Sequence, residues 1–134
     1  MGFHISVNGC GLKTAENLEA AAAIPLDRLM LETDAPWCSM TSTHASNTHL
    51  KSLPKELSDI FFPPAARKFQ QGKRLTGRNE PGAIGGVAWV LSRLKGVSLE
   101  EVMAASWKST VELFGLEEDL DIVIPESATT GHVE

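Results

Sequence analysis

The sequence has little cysteine and no long apolar run. Its two cysteines, Cys10 and Cys38, are too few for a disulfide framework, so we expect reduced thiols that are buried or half-buried. No stretch approaches the roughly 18 consecutive apolar residues of a membrane span, and the first residues carry no charged leader. These absences favour a cytoplasmic or nuclear protein without a membrane partner.

The sequence also lacks an excess of positive charge. The net charge is −5, which argues against nucleic-acid binding by the chain as a whole. The segment 51–78 differs, because seven Lys or Arg residues there, including Lys73, stand against two acidic ones. The end of the chain, 117–134, holds six acidic residues and no Lys or Arg, so we predict a disordered acidic tail.

The first third of the chain has the pattern of a strand, a helix and a second strand. Residues 3–8 alternate apolar and polar side chains, which predicts a strand. Thr14 can cap a helix that continues through the alanine run 20–23. The apolar residues of 29–33 predict a strand buried on both faces, as in a parallel sheet. This order indicates a βαβ unit and an α/β fold.

Two further helices are predicted after a long irregular segment. Residues 37–80 contain many Ser, Thr and Pro and no periodic pattern, so we expect a basic loop there. Apolar spacing predicts helices at 83–95 and 98–114. The apolar stripe of the second of these helices is expected in the core and consists of Met103, Trp107, Val111 and Phe114. Residues 1–116 would then form one domain.

Asp34 is the strongest candidate for chemistry. It follows the second strand, and ligands of parallel sheets and barrels bind at the carboxyl ends of the strands. A carboxylate there can hold a divalent metal, or it can simply begin the turn before Ala35-Pro36. Glu32 leaves the strand on the same side and could support Asp34, or it could pair with an arginine such as Arg78.

Other polar residues are weaker candidates. His44 and His49 lie in the loop after Asp34 without the spacing of a zinc motif, and surface positions are the simpler interpretation. Arg78 and Asn79 suit phosphate recognition, while Glu80 suits the entry to the next helix. From the residues alone, both interpretations of this segment stay open.

Four blocks in this order resemble the TatD-type metal-dependent deoxyribonucleases. They are Asn-Gly-Cys-Gly-Leu-Lys-Thr at 8–14, Ile-Pro-Leu-Asp-Arg-Leu-Met-Leu-Glu-Thr-Asp-Ala-Pro-Trp at 24–37, Arg-Asn-Glu-Pro at 78–81 and Leu-Phe-Gly at 113–115. The long basic insertion is similar to that of eukaryotic members. The resemblance covers about residues 2–116.

The resemblance implies the C-terminal portion of a (β/α)8 TIM-type barrel that hydrolyses DNA with one or two divalent metals, Mg, Mn or Zn. It makes Asp34 the last metal ligand. We further predict that Arg78, Asn79, Lys73 and His44 bind the substrate. The family's His-x-His pair, its glutamate and its two later histidines have no counterpart here. We therefore expect an incomplete barrel and an inactive isolated chain.

Two other functions are compatible with the sequence. The chain could be a non-catalytic module that binds nucleic acid or a protein partner through the basic loop. It could also be a half-barrel whose site is completed by an N-terminal half or by a full-length relative.

Overall fold

The computed structural model describes residues 2–116, which form a mixed α/β arrangement. Strand β1 (Ile5–Val7) pairs in parallel with β2 (Leu29–Leu31), with Ile5 opposite Leu29. Helix α1 (Ala15–Ala23) connects them, and the Thr14 side chain accepts a hydrogen bond from the Asn17 amide at its start. The predicted βαβ unit is confirmed, with both strands shorter than the apolar pattern.

The segment 37–80 contains more regular structure than its composition predicts. It holds two short helices, α2 (Asn47–Leu50) and α3 (Lys55–Phe61), and two parallel two-residue strands, β3 (Ala65–Ala66) and β4 (Arg74–Leu75). The indole of Trp89 donates a hydrogen bond to the His49 carbonyl at 3.0 Å. These helices are too short to show a periodic pattern. Their contacts with the helix at Ile84–Lys95 hold them in place.

The core lies around α4 (Ile84–Lys95). This helix is buried along Gly85–Ser92 and contacts α1, α2, α3, β2 and the last helix. A helix that is apolar on all sides is expected at the centre of a core. It ends at Gly96, whose φ of 65° is the left-handed conformation that glycine adopts without strain.

The last helix, α5 (Leu99–Phe114), turns a different face inward from the one its apolar stripe predicts. Leu99, Val102, Ser106 and Ser109 are buried against β2 and the turn at Leu26–Arg28. Met103 and Trp107 are 49% and 46% exposed, and Phe114 is 64% exposed, so the predicted core stripe is wrong. Small serines allow close approach of the backbones, and the bulky side chains consequently lie outside.

Apolar surface is also exposed on β1. Phe3 and Ile5 are 72% and 46% exposed, although Val7 on the same strand is buried. In the described part of the chain, β1 has a neighbour on one edge only, which is β2. No described helix combines the length and the apolar character that crossing a membrane requires. The predicted acidic tail at 117–134 lies outside the described residues.

Candidate metal and nucleic-acid site

Asn8 brings the two candidate carboxylates together. It follows β1 by one residue, while Glu32 and Asp34 follow β2. The Asn8 amide donates one hydrogen bond to Asp34 Oδ2 at 2.7 Å and another to Glu32 Oε1 at 3.4 Å. Its Oδ1 accepts the Gly11 amide at 2.9 Å, which fixes the orientation of the Asn8 side chain. Two carboxylates therefore converge at the carboxyl ends of two parallel strands.

The backbone holds Asp34 in an uncommon conformation. Its φ of 51° is in the left-handed region, where a non-glycine residue stores some strain. The Asp34 carbonyl accepts the Trp37 amide at 2.7 Å, and Thr33 Oγ1 accepts the Ala35 amide at 3.3 Å. These turn contacts project an exposed carboxylate from the strand end. Aspartate tolerates the left-handed region better than most side chains do, and such strain is concentrated at functional sites.

The Arg78-Asn79-Glu80 segment fastens the Asp34 turn to the start of α4. Asn79 is buried, and its amide donates to the Thr33 carbonyl at 2.9 Å, while its backbone N–H donates to the Pro36 carbonyl at 3.1 Å. Glu80 Oε1 accepts the Leu75 amide at 2.9 Å. Of the three neighbours, Arg78 has its side chain exposed to solvent. It forms no ion pair with Glu32 in the described chain, so that alternative pairing is wrong.

Among the described residues, no histidine side chain forms a hydrogen bond with Glu32 or Asp34. Nδ1 of half-buried His44 has no hydrogen-bond partner among the described residues, and the same holds for Nε2 of His4. His49 takes part through its carbonyl, which accepts the Trp89 indole. Across residues 2–116, no group of three His, Cys, Asp or Glu side chains is placed to hold a metal ion. Glu32 and Asp34 are oxygen donors of the kind that Mg²⁺ and Mn²⁺ prefer, but they do not form a complete set by themselves.

The Cys38 thiol borders Asp34. Cys10 is exposed, which corrects the expected burial, and Cys38 is half-buried. Cys38 Sγ lies 3.8 Å from Asp34 Oδ2. The neighbouring Cys10 thiol, followed by burial and by the negative charge of Asp34, raises the pKa of Cys38 to about 11. Cys38 is therefore protonated at neutral pH.

The basic segment keeps most of its cations at the surface. Lys55 pairs with Asp59 at 2.6 Å, and Arg74 Nε donates to the Pro63 carbonyl at 3.1 Å. The remaining cations are exposed and form no ion pair with a described residue: Lys51, Arg67, Lys68, Lys73 and Arg78. Arg78 and Arg74 line a cavity of about 280 Å³ together with Phe61. This surface can attract an anion next to the Asp34 turn.

Sequence reasoning found the two carboxylates but missed Asn8 and the thiol pair. Asn8 stands at the carboxyl end of a predicted parallel strand, which is the signal that could have found it. The proximity of Cys10 to Cys38 depends on how the loops after β1 and β2 meet, and no local pattern encodes that proximity.

Two known deoxyribonucleases are similar to this chain in sequence. The deoxyribonuclease Tat-D of Schizosaccharomyces pombe is 42% identical over 113 residues, covering 84% of this chain and 34% of the relative. The deoxyribonuclease Tat-D of Saccharomyces cerevisiae is 40% identical over 121 residues, covering 83% of this chain and 29% of the relative. The chain thus spans about a third of the length of the curated relatives it matches.

Solved structures and a family profile agree with these relatives. An uncharacterized amidohydrolase from Saccharomyces cerevisiae matches with a TM-score of 0.74 and 39% identity, over 83% of this chain and 33% of that one. A TatD family hydrolase from Entamoeba histolytica matches with a TM-score of 0.71 and 31% identity, over 84% of this chain and 35% of that one. The profile described as TatD related DNase matches residues 1–115. The chain belongs to the TatD related DNase family.

Proposed function

We propose that this chain supplies the Asp34 edge of a metal-dependent phosphodiester hydrolase that acts on DNA. The observation that carries the proposal is the convergence of Asp34 and Glu32 on Asn8 at the carboxyl ends of two parallel strands. Catalytic groups of parallel barrels lie at that end of the strands. In this proposal β1 and β2 are the last two strands of a (β/α)8 barrel, and α4 and α5 belong to its outer layer.

The metal would be held in part by this chain. Asp34 is the proposed ligand, and Glu32 is the proposed support that fixes its position through Asn8. When bound, a divalent metal acidifies water and stabilises charge on a phosphate. The residues described here supply too few ligands for a resident ion, so the proposal requires ligands from further barrel strands. We accordingly expect no hydrolysis by the 134-residue chain alone.

DNA is the proposed substrate, and exposed cations of the basic segment are the proposed contacts. Arg78 is the best placed, because Asn79 ties its backbone to the Asp34 turn and its own side chain faces solvent. Arginine can bind a phosphate through two parallel hydrogen bonds. Lys73 and His44 are proposed to lie along the same strand of DNA, with Lys73 as a point charge. Asn79 would act by positioning the turn.

A chimera tests the proposal. Residues 2–116 would replace the matching third of the Schizosaccharomyces pombe relative, which is 42% identical to this chain over 113 residues. We expect Mg²⁺- or Mn²⁺-dependent cleavage of a labelled DNA strand by the chimera, and a loss of orders of magnitude in Asp34→Asn, because removing a ligand disturbs metal charge and geometry. The matched control is Asp27→Asn, since Asp27 is exposed and its one ion pair among the described residues is with Arg28 at 3.7 Å.

The chimera also separates the alternatives. If the folded chimera cleaves DNA equally well with and without Asp34→Asn, Asp34 is not a metal ligand. If the relative without its matching third regains cleavage when this chain is added as a separate molecule, the site is completed between chains.

A binding module without catalysis is the second candidate function. The observation that favours it is the set of exposed cations between 51 and 78 in a chain of net charge −5. Cations on one surface can bind phosphates without catalysing their hydrolysis. Under this alternative, DNA binding would depend on the basic segment and would be unaffected by Asp34→Asn.

A further inference from the structure

The loops that follow β1 and β2 are fastened to each other around two cysteines. Asn8 bonds to Asp34 at 2.7 Å, and further along the Lys13 carbonyl accepts the Ala45 amide at 2.9 Å. Between these two points, a methyl group added to Gly9 would lie 2.2 Å from the Cys38 carbonyl oxygen. The backbones of the two loops are therefore in direct contact where the cysteines stand.

The side chains continue this contact. Cys10 directly follows Gly9, so the Gly9–Cys38 contact brings the two cysteines near each other, and Cys38 Sγ lies 3.8 Å from Asp34 Oδ2. A disulfide requires Cα atoms within about 7 Å and side chains that point toward each other. The Gly9–Cys38 backbone contact brings the chain segments that carry the two cysteines together, and the Cys10 thiol is the largest cause of the raised pKa of Cys38. Cys10 is open to solvent, so an external oxidant can reach it.

We propose that Cys10 and Cys38 form a redox modification site, in which a low-molecular-weight disulfide such as oxidised glutathione converts the two thiols into an intramolecular disulfide. The Cys10 thiolate attacks one sulfur of the oxidant, whose S–S bond breaks and releases one thiol. Cys38 then loses its proton to solvent and attacks Cys10 Sγ in the mixed disulfide, releasing the second thiol. The pair is oxidised and the oxidant is reduced to two thiols.

The disulfide would change the surroundings of Asp34. It would remove the Cys38 S–H group that faces Asp34 Oδ2, and it would join the loop of Asn8 covalently to the loop of Asp34. The site does not depend on the proposed function, because it follows from the contacts of the two loops alone.

The test uses the full 134-residue chain in buffers of defined reduced and oxidised glutathione. After acid quenching and alkylation of free thiols, mass spectrometry counts the internal disulfide and the glutathione adducts. The same titration in urea gives the tendency of the two cysteines to pair when the chain is unfolded. Cys38→Ser is the matched variant, which keeps Cys10 as the attacking thiol without a partner.

In the folded chain we expect the Cys10–Cys38 disulfide as the main oxidised species, favoured at least about tenfold over its formation in urea. Cys38→Ser should instead accumulate a stable glutathione adduct on Cys10. The proposal would be overturned if the native wild-type chain carried two separate adducts or formed disulfides between molecules. Equal pairing in native buffer and in urea would overturn it as well.

Discussion

Gly9 is a residue whose role depends on a contact rather than on its conformation. Its φ of −62° and ψ of −30° are available to any residue. An alanine there would ordinarily stabilise by about 0.4–1 kcal/mol through the unfolded chain. Because the added methyl group would meet a backbone oxygen at 2.2 Å, the steric cost decides the outcome.

We predict that Gly9→Ala lowers the free energy of unfolding by about 1–3 kcal/mol, the usual range for overpacking. Gly11→Ala is the control, because a methyl group there would lie 3.7 Å from the nearest side-chain atoms of Asn8 and Val7, which is an ordinary van der Waals distance. Urea denaturation measures both variants. Equal stability of the two would show that the loops after β1 and β2 do not meet at Cys38.

Asn79 gives a second test at this scale. Asn79→Ala would leave the Thr33 carbonyl without its 2.9 Å hydrogen bond beneath the Asp34 turn. We expect a reduction of about 1–3 kcal/mol in the free energy of unfolding, which is the range for breaking a buried hydrogen bond. Arg78→Ala is the control, because Arg78 is exposed. This substitution should change the free energy of unfolding by less than about 0.5 kcal/mol. An equal reduction in both variants would show that the hydrogen bond from Asn79 to the Thr33 carbonyl does not stabilise the Asp34 turn.

At the scale of residues, the sequence predicted what depends on one strand. The shared direction of Glu32 and Asp34 follows from strand alternation, and the structure brings both to Asn8. The bond to Asn8 depends on the register of β1 against β2, which no local rule determines. The suggested Glu32–Arg78 pair could not be excluded from the sequence either, because two residues so far apart in the chain meet or miss only through the tertiary fold.

At the scale of elements, helix ends were predictable and helix orientation was not. Thr14 occupies the expected capping position, and Gly96 and Ser98 cap the last two helices at their predicted ends, because each cap bonds to its own helix. The inward face of α5 was predicted wrongly, since Ser106 and Ser109 have the same helical spacing as the bulky stripe. The face with the small side chains is buried because α5 packs closely against β2. Which face is buried therefore depends on the neighbouring element and not on α5 alone.

The cap of α5 yields a prediction for this scale. The Ser98 hydroxyl accepts the Glu101 amide at 3.1 Å, and the Glu101 carboxylate accepts the Ser98 amide at 2.8 Å. Ser98→Ala removes the first bond and should lower the free energy of unfolding by about 0.5–2 kcal/mol. Ser42→Ala, in an exposed turn, is the control that should stay within about 0.5 kcal/mol of the parent. Thermal or urea unfolding of both variants measures the difference, and an unchanged Ser98→Ala would contradict the cap.

At the scale of the whole molecule, the described chain has both exposed apolar side chains and an exposed basic surface. Phe3 and Ile5 are uncovered on β1, and Trp107 is uncovered on α5. The α/β class and the βαβ unit could be predicted from periodicity. The short helices in 37–80 could not, because each is stabilised by packing on α4 rather than by its own sequence pattern.

The basic surface predicts weak, salt-dependent DNA binding by the chain. Arg67, Lys68 and Lys73 are exposed, whereas Arg74 is engaged with the Pro63 carbonyl. Replacing these three cations by alanine should weaken binding and reduce the slope of log affinity against log salt by up to about 0.7–0.9 for each phosphate that is no longer neutralised. Lys108→Ala on α5 is the control outside the segment. Fluorescence anisotropy over a salt series is the measurement, and an unchanged slope in the triple variant would leave the segment without a role in binding.

The most direct test of the central claim is the cleavage of a labelled DNA strand by the purified 134-residue chain in Mg²⁺ or Mn²⁺. The claim is that Asp34 and Glu32 form one edge of a metal site whose other ligands lie on further strands. Residues that act as a unit supply little catalysis singly. We predict cleavage no faster than that of buffer with metal, and no difference between the chain and Asp34→Asn. Robust metal-dependent cleavage by the chain that is abolished in Asp34→Asn would contradict the account.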